Sequence, residues 1–231
     1  MTSLGSTTWP EIPERPLLVV PLGAVEQHGP HLPLATDTAQ AEAVARAALP
    51  DLGRALLAPA LAYGASGEHE GFSGTVSLGT AALTAVLVEY GRSACRWAGR
   101  LLVVNGHGGN YDALRAAVPQ LRQEGRDVAW FPLAVPGADA HAGRTETSLM
   151  LHVEPAGVHE DRAEAGETAP LREILPRMRA EGVRAVSPNG VLGDPAGASA
   201  AEGARLVAEL AGRLAGAVRE WRVDPAGRLV G

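Results

Sequence analysis

Short runs of consecutive apolar residues recur along the chain, separated by stretches in which apolar residues follow a helical spacing. Residues 17–23 (LLVVPLG) and 101–105 (LLVVN) share nearly the same apolar run, and residues 55–61 and 127–133 contain two more. An unbroken apolar run of this length is typical of a strand that is buried on both faces of a parallel sheet. The pattern therefore predicts four buried strands.

Helices are predicted between these strands. Residues 38–49 are rich in alanine and end before Pro50, which suits a helix and its termination. The full set of predicted helices is 38–49, 81–97, 112–124, 145–153 and 198–221. Strands that alternate with helices predict an α/β fold with a largely parallel sheet covered on both faces. The Gly- and Ser-rich residues 63–80 are predicted as a long loop, with further loops at 134–143 and 187–199.

The composition fits a single domain over residues 1–231, in which residues 1–16 form a loosely held leader. Of the 231 residues, 46% are hydrophobic and only 4% aromatic, so the core must be aliphatic. The net charge of −6, without a basic cluster, argues against nucleic acid or an anionic membrane as partner.

The single cysteine excludes an internal disulfide and a cysteine zinc cluster. Residues 1–16 are polar and interrupted by proline, so we expect no signal peptide. No apolar run reaches the roughly 18 residues of a membrane span. We therefore expect a soluble cytoplasmic protein.

The segment GAVEQHGPHLPLATDT, residues 23–38, contains four candidate ligands: Glu26, His28, His31 and Asp37. It follows the first predicted strand, and His107 follows the third. Because ligands bind where the carboxyl ends of parallel strands meet, these side chains are expected in one crevice. An ordinary polar loop explains the same residues, and Asp37 could simply favour a helix N-terminus.

A third segment, DAHAGRTETSLML, adds His141 and Glu146, although its residues also suit a plain helix start. Carboxylates and imidazoles without thiolate suit Zn, Mn or Fe(II). Glu26, Asp37 and Glu146 carry three negative charges, and two divalent cations would carry four positive ones. The remaining positive charge would be neutralised by one bridging hydroxide. Such a hydroxide is a nucleophile at neutral pH, and His141 is free to protonate a leaving amine. No compact motif such as HExxH is present, so spacing alone leaves both interpretations open.

The segments PLGAVEQHGPHLPLATD, NGHGGN and HAGRTETS, in this order, resemble the creatininase (creatinine amidohydrolase) family. YGASGEHEGFSGTVSLGT and AVSPNGVLGDPAGASAAEG resemble its mycofactocin branch, whose substrate is a precursor peptide. The resemblance implies a three-layer α/β/α fold with a mostly parallel sheet, a homo-oligomer that is often hexameric, and two divalent metal ions per chain. It implies catalytic roles for His141 and Glu146. The metal ligands it implies are Glu26, His28, Asp37 (as the bridge), His107 and Glu146.

One position departs from the family pattern. Creatinine-hydrolysing members carry a Glu two residues after the histidine of the NGH motif, where this chain has Gly109. Residues 134–143 also contain no aromatic residue to cover a small flat ring. The resemblance therefore implies cleavage of the modified mycofactocin precursor peptide, releasing a core derived from its C-terminal Val-Tyr pair. Alternatives are a small cyclic amide or formamide as substrate, or a non-catalytic scaffold that retains metal.

Five further polar residues have weaker predicted roles. His31 is expected to support the loop. Glu68 and His69 either contact substrate or are ordinary surface residues. Asn105 and Asn110 are expected to stabilise the turn around His107 through hydrogen bonds to the backbone.

Overall fold

A four-stranded parallel sheet forms the centre of the fold. The computed structural model describes residues 3–230. The strands follow the order β2-β1-β3-β4, and every neighbouring pair is parallel. All six residues of the central strand β1 are buried, as an unbroken apolar run requires. The strand bounds are β1 Leu17–Leu22, β2 Ala55–Leu57, β3 Arg100–Asn105 and β4 Val128–Pro132.

Helices cover both faces of this sheet, so the predicted three-layer α/β/α fold is confirmed. Leu18, Val20 and Leu22 pack in one cluster with residues of α2 and α3, while Leu17 and Val19 pack in another with α1 and α7. This division follows from the alternation of side chains along a strand. The helices are α1 Thr36–Ala48, α2 Gly79–Ala94, α3 Tyr111–Gln123, α4 Arg144–Val153, α5 Leu171–Glu181, α6 Val183–Val186 and α7 Ala200–Glu220.

Several predicted boundaries differ from the observed ones. Strand β2 ends at Leu57 instead of residue 61, because Pro59 has no N–H to donate to a neighbouring strand. Helix α1 begins two residues earlier than predicted, which places Asp37 in its first turn. The sequence did not predict α5 and α6, or the short antiparallel pair β5 (Arg222–Val223) and β6 (Leu229–Val230). Pro176 lies inside α5, and such an interruption argues against a helix.

The leader is held more closely than the sequence predicts. Ser3 forms a bridge with Leu57 of β2, and Leu4 and Ile12 pack against the core on the α2–α3 side. Apolar contacts therefore attach this segment to the sheet edge, although Trp9 is 87% exposed. Residues 1 and 2 lie outside the described residues. Among residues 3–230, no helix has both the length and the apolar composition needed to cross a bilayer.

Candidate metal centre

The candidate centre lies at the carboxyl ends of β1 and β3, where α1 begins. Two glycines allow this helix to approach the strand ends. A Cβ on Gly23 would lie 2.1 Å from Thr38 Oγ1, and one on Gly106 would lie 2.4 Å from the Asp37 main-chain oxygen. Both distances are far below a normal contact, so the strand ends accept only glycine here. The first turn of α1 therefore brings Asp37 to the residues that follow both strands.

The close approach predicts that Gly106→Ala weakens the centre. We expect a loss of about 1–3 kcal/mol in the free energy of unfolding, because the added methyl group forces α1 away. Metal binding should weaken as well, since Asp37 moves with the helix. Denaturant unfolding and metal analysis of the purified variant measure the two effects. Gly108→Ala is the matched control, since a Cβ at Gly108 meets nothing within 4 Å; equal behaviour of the two variants would contradict this explanation.

The Asp37 carboxylate lies between two histidine rings. Its Oδ1 is 3.2 Å from His28 Nε2, and its Oδ2 is 3.4 Å from His107 Nδ1. Glu26 approaches the other edge of His107, with 3.1 Å between Oε2 and Nε2. All four side chains are buried. The structure thus brings together the residues of the first two sequence motifs.

The third motif supplies two more groups from the start of α4 and the loop before it. Glu146 Oε2 lies 3.8 Å from His28 Nε2 and 3.9 Å from His141 Nδ1. The Ala142 N–H donates a hydrogen bond to the same oxygen at 2.6 Å, which orients the carboxylate. His141 Nδ1 is also 3.9 Å from Glu26 Oε1. Six side chains predicted from the sequence therefore share one cluster.

Three residues with weaker predicted roles support the surrounding loops. His31 Nε2 is 2.9 Å from Thr147 Oγ1, so it joins the Gly- and Pro-rich loop to α4 and lies outside the cluster. Asn105 donates to the His107 main-chain oxygen at 2.6 Å. Asn110 donates to Asn105 Oδ1 and to the main-chain oxygen of Gly23. The two amides thus connect the ends of β1 and β3 beside His107.

The long loop between β2 and α2 places His69 and Glu68 in the cluster. His69 Nε2 is 3.3 Å from Glu26 Oε1, and Glu68 Oε1 is 3.6 Å from His107 Nε2. A Cβ on Gly109 would lie 2.6 Å from Glu68 Oε1. The Glu68 carboxylate therefore takes the space beside His107 that a side chain at position 109 would need.

Sequence reasoning missed Gln27, whose buried amide lies within hydrogen-bond distance of two histidines. Its Nε2 is 2.9 Å from His69 Nδ1 and 3.1 Å from His141 Nε2. A strictly extended backbone would turn position 27 away from Glu26 and His28. Its place between two candidate ligands was the only signal in the sequence.

The chemistry of the cluster fits a divalent cation. Both carboxylate oxygens of Glu26 and Oδ2 of Asp37 are buried and accept no well-directed hydrogen bond, although histidine nitrogens lie near them. A buried carboxylate without partners is costly unless a cation balances it. Nitrogen and oxygen atoms from three overlapping sets of residues approach one another within 4.8 Å. These sets are Glu26–His28–Asp37, His28–His141–Glu146 and Glu26–His69–His141.

The charges of the side chains in the cluster compensate one another. Burial lowers the pKa of His28, but Asp37 and Glu146 outweigh it and raise this pKa to about 9. Burial also lowers the pKa of His107, but Glu26 and Asp37 outweigh this effect and raise the pKa to about 10. Burial raises the pKa of Glu26, but the positive charge of His107 outweighs it and lowers this pKa. The positive charges of the two imidazolium rings therefore compensate the buried carboxylates.

Metal binding is expected to release protons and to weaken as the pH falls. His28 and His107 both carry a proton at pH 7, because their pKa values lie near 9 and 10. Only the neutral rings bind metal, so loading at pH 7 should release at least two protons per chain. Glu146, whose pKa burial raises to about 7, and the activated water add to this number. Calorimetric zinc titrations in buffers of different ionisation enthalpy measure this number. An affinity independent of pH, with no proton release, would contradict the assignment of both rings as ligands.

The cluster opens into a cleft of about 1780 Å³. His107, His141 and Glu146 line it, together with the loop between β4 and α4 and residues of α5 and α7. Small-molecule pockets typically measure roughly 300–1,000 Å³. The cleft therefore has room for an extended substrate.

Comparisons with known proteins agree on one family. The family model described as creatininase, creatinine amidohydrolase, matches residues 5–218. The chain is 57% identical over 219 residues to the mycofactocin precursor peptide peptidase of Mycolicibacterium smegmatis, a match covering 93% of this chain and 89% of that protein.

Two solved structures are similar over nearly the whole chain. The structure named Creatininase Mn has a TM-score of 0.78 and 28% identity, and the match covers 95% of this chain and 98% of that one. A mutant creatininase of the Zn–Zn type has the same TM-score and identity, with 96% and 99% covered.

Proposed function

Because the chain belongs to the creatinine amidohydrolase family and is a metal-dependent hydrolase of carbon–nitrogen bonds, we propose that it cleaves the modified mycofactocin precursor peptide. The product is the core derived from the C-terminal Val-Tyr pair of that peptide. The observation that carries the proposal is the cluster of buried, unpaired carboxylate oxygens and histidines at a large open cleft. The identity to a named peptidase supports the choice of substrate.

Two divalent cations, of Zn, Mn or Fe(II), would be held by two groups of residues that share Asp37. The positions of its oxygens support this sharing, because Oδ1 faces His28 and Oδ2 faces His107. Glu26 and His107 complete one group, and His28 and Glu146 complete the other. When bound, such ions activate water as a nucleophile and polarise the scissile carbonyl.

His141 transfers the proton between the attacking water and the leaving amine. Burial, with the nearby His28 and His69, lowers its pKa well below the usual value, so the ring is neutral near pH 7. A neutral ring must accept a proton before it can donate one. Its position against Glu26 and Glu146 suits both steps, because their charges stabilise the imidazolium that forms between them.

A peptide fits this cleft better than a small cyclic amide does. The glutamate that creatinine-hydrolysing members carry is replaced by Gly109, and Glu68 occupies the adjacent space. The loop between β4 and α4 lines the cleft without an aromatic residue that could cover a flat ring. These features leave the centre accessible from a cleft much larger than creatinine.

Mass spectrometry of two parallel reactions tests the proposal. The metal-loaded chain is incubated with the modified precursor peptide and, separately, with creatinine, and a chelated sample serves as control. We expect loss of the C-terminal core from the peptide and unchanged creatinine. Hydrolysis of creatinine with an intact peptide would favour the small-amide alternative. If neither compound is consumed, the proposal fails in favour of a scaffold role.

A further inference from the structure

The Gln27 side chain is held in one orientation by the backbone on two sides. Its Oε1 accepts a hydrogen bond from the Gly29 N–H at 2.8 Å, and its Nε2 donates to the Gly190 main-chain oxygen at 3.0 Å. Gly190 has φ +83°, and a Cβ there would lie 1.9 Å from Gln27 Oε1. Exchange of the amide oxygen and nitrogen would break both bonds, so the amide has one possible orientation.

The second hydrogen on Gln27 Nε2 has two histidine nitrogens in reach, and only one can accept it. His141 Nε2 lies 2.8 Å from the Gln27 main-chain oxygen, which can only accept a hydrogen bond. His141 therefore carries its proton on Nε2 and cannot also accept there. The amide hydrogen must point to His69 Nδ1 at 2.9 Å, which must then be unprotonated.

The two histidines consequently face the cluster differently: His69 with an N–H group and His141 with a lone pair. A neutral His69 with a free Nδ1 carries its proton on Nε2, which faces Glu26 Oε1 at 3.3 Å. A neutral His141 with a protonated Nε2 turns the lone pair of Nδ1 toward Glu26 and Glu146. A ring nitrogen that accepts a hydrogen bond carries no proton, so the contact between Gln27 Nε2 and His69 Nδ1 is enough to make the His69 ring neutral.

We infer that Gln27 is a positioning residue that fixes the tautomer of His69. In this tautomer the Nε2–H of His69 faces Glu26 Oε1, while His141 presents the lone pair of Nδ1 to the cluster. With a proton on Nε2, His69 cannot bind a cation through that atom, although its Nε2 lies in one of the three sets of potential ligands. The tautomers follow from the hydrogen bonds alone. Their consequence for catalysis rests on the proposed function.

Histidine ring ¹⁵N shifts in the zinc-loaded full-length chain test this inference, with His69→Gln and His141→Gln identifying the signals. We expect both rings of the unsubstituted chain to carry their proton on Nε2. Gln27→Glu replaces the donating amide by an accepting oxygen, so His69 should become protonated on Nδ1. His141 should be unchanged in the same sample, because any residue at position 27 supplies its main-chain acceptor.

Activity and metal content separate this role from a merely structural one. Gln27→Glu should lower kcat by about 10–100-fold, the range for residues that orient metal ligands, with metal content unchanged. His69→Gln should also retain its metal. In Gln27→Met the side chain neither donates nor accepts a hydrogen bond, so His69 should occupy both tautomers. This variant replaces Gln27→Glu in the test if the latter does not fold. His69 with an unprotonated Nδ1 in Gln27→Glu, or metal lost from His69→Gln, would overturn the inference whatever the substrate proves to be.

Discussion

Asp37→Asn is expected to remove peptide cleavage and to weaken metal binding by more than about 100-fold. Substitution of residues that merely orient metal ligands already costs 10–100-fold in affinity, and Asp37 would be shared between two ions. The amide is isosteric but neutral, and its nitrogen cannot bind a cation. One of its two ends would also turn an N–H group toward a histidine. Calorimetric zinc titration, with cleavage followed by mass spectrometry, measures both losses.

Asp112→Asn is the matched control, because Asp112 occupies the first turn of α3 as Asp37 does that of α1. The Asp112 side chain is 71% exposed, whereas that of Asp37 is 2% exposed. A carboxylate that only favours a helix N-terminus contributes about 0.3–1 kcal/mol. If Asp37 had no other role, the two variants would show equally small losses of stability and normal cleavage. That result would remove Asp37 from the metal centre.

His141→Gln is expected to lower kcat by about 10²–10⁴-fold while metal content stays unchanged. This is the usual contribution of a side chain that transfers a proton in the transition state. The ring reaches the cluster through Nδ1, and its Nε2 is already bonded to the Gln27 main-chain oxygen. Metal analysis of the purified variant alongside steady-state kinetics on the peptide tests both parts.

His31→Gln is the control for loss of a buried histidine ring outside the cluster. Its partner is Thr147, so we expect lower thermal stability and nearly normal kcat. Loss of metal from His141→Gln would show instead that Nδ1 binds a cation together with His28 and Glu146. Unchanged cleavage would remove His141 from the reaction.

The sequence was most informative about the polar side chains that follow directly after predicted strands. Glu26 and His28 follow one apolar run and His107 follows another, so the rule for parallel sheets was enough to predict their meeting. The order β2-β1-β3-β4 places those two strands side by side. Local patterns also predicted the strands themselves, because buried parallel strands need unbroken apolar runs.

The remaining features depend on contacts that no local pattern encodes. Gln27 meets His69 42 residues away and His141 114 residues away, through a bend that turns it toward both rings. The position of Glu68 depends on the absence of a side chain at Gly109. Helix α5 contains Pro176 and buries only Ile174. Its apolar residues, Leu171, Ile174, Leu175 and Met178, follow a helical spacing, but the proline among them argues against a helix.

The most direct test of the metal centre is a titration of the chelated chain with zinc or manganese, in which mass spectrometry follows cleavage of the modified precursor peptide. With two ions sharing Asp37, cleavage should be absent without metal and should reach its plateau at about two equivalents per chain. The released fragment should be the core derived from the C-terminal Val-Tyr pair. Full cleavage by the metal-free chain, or a plateau at one equivalent, would contradict the two-ion centre.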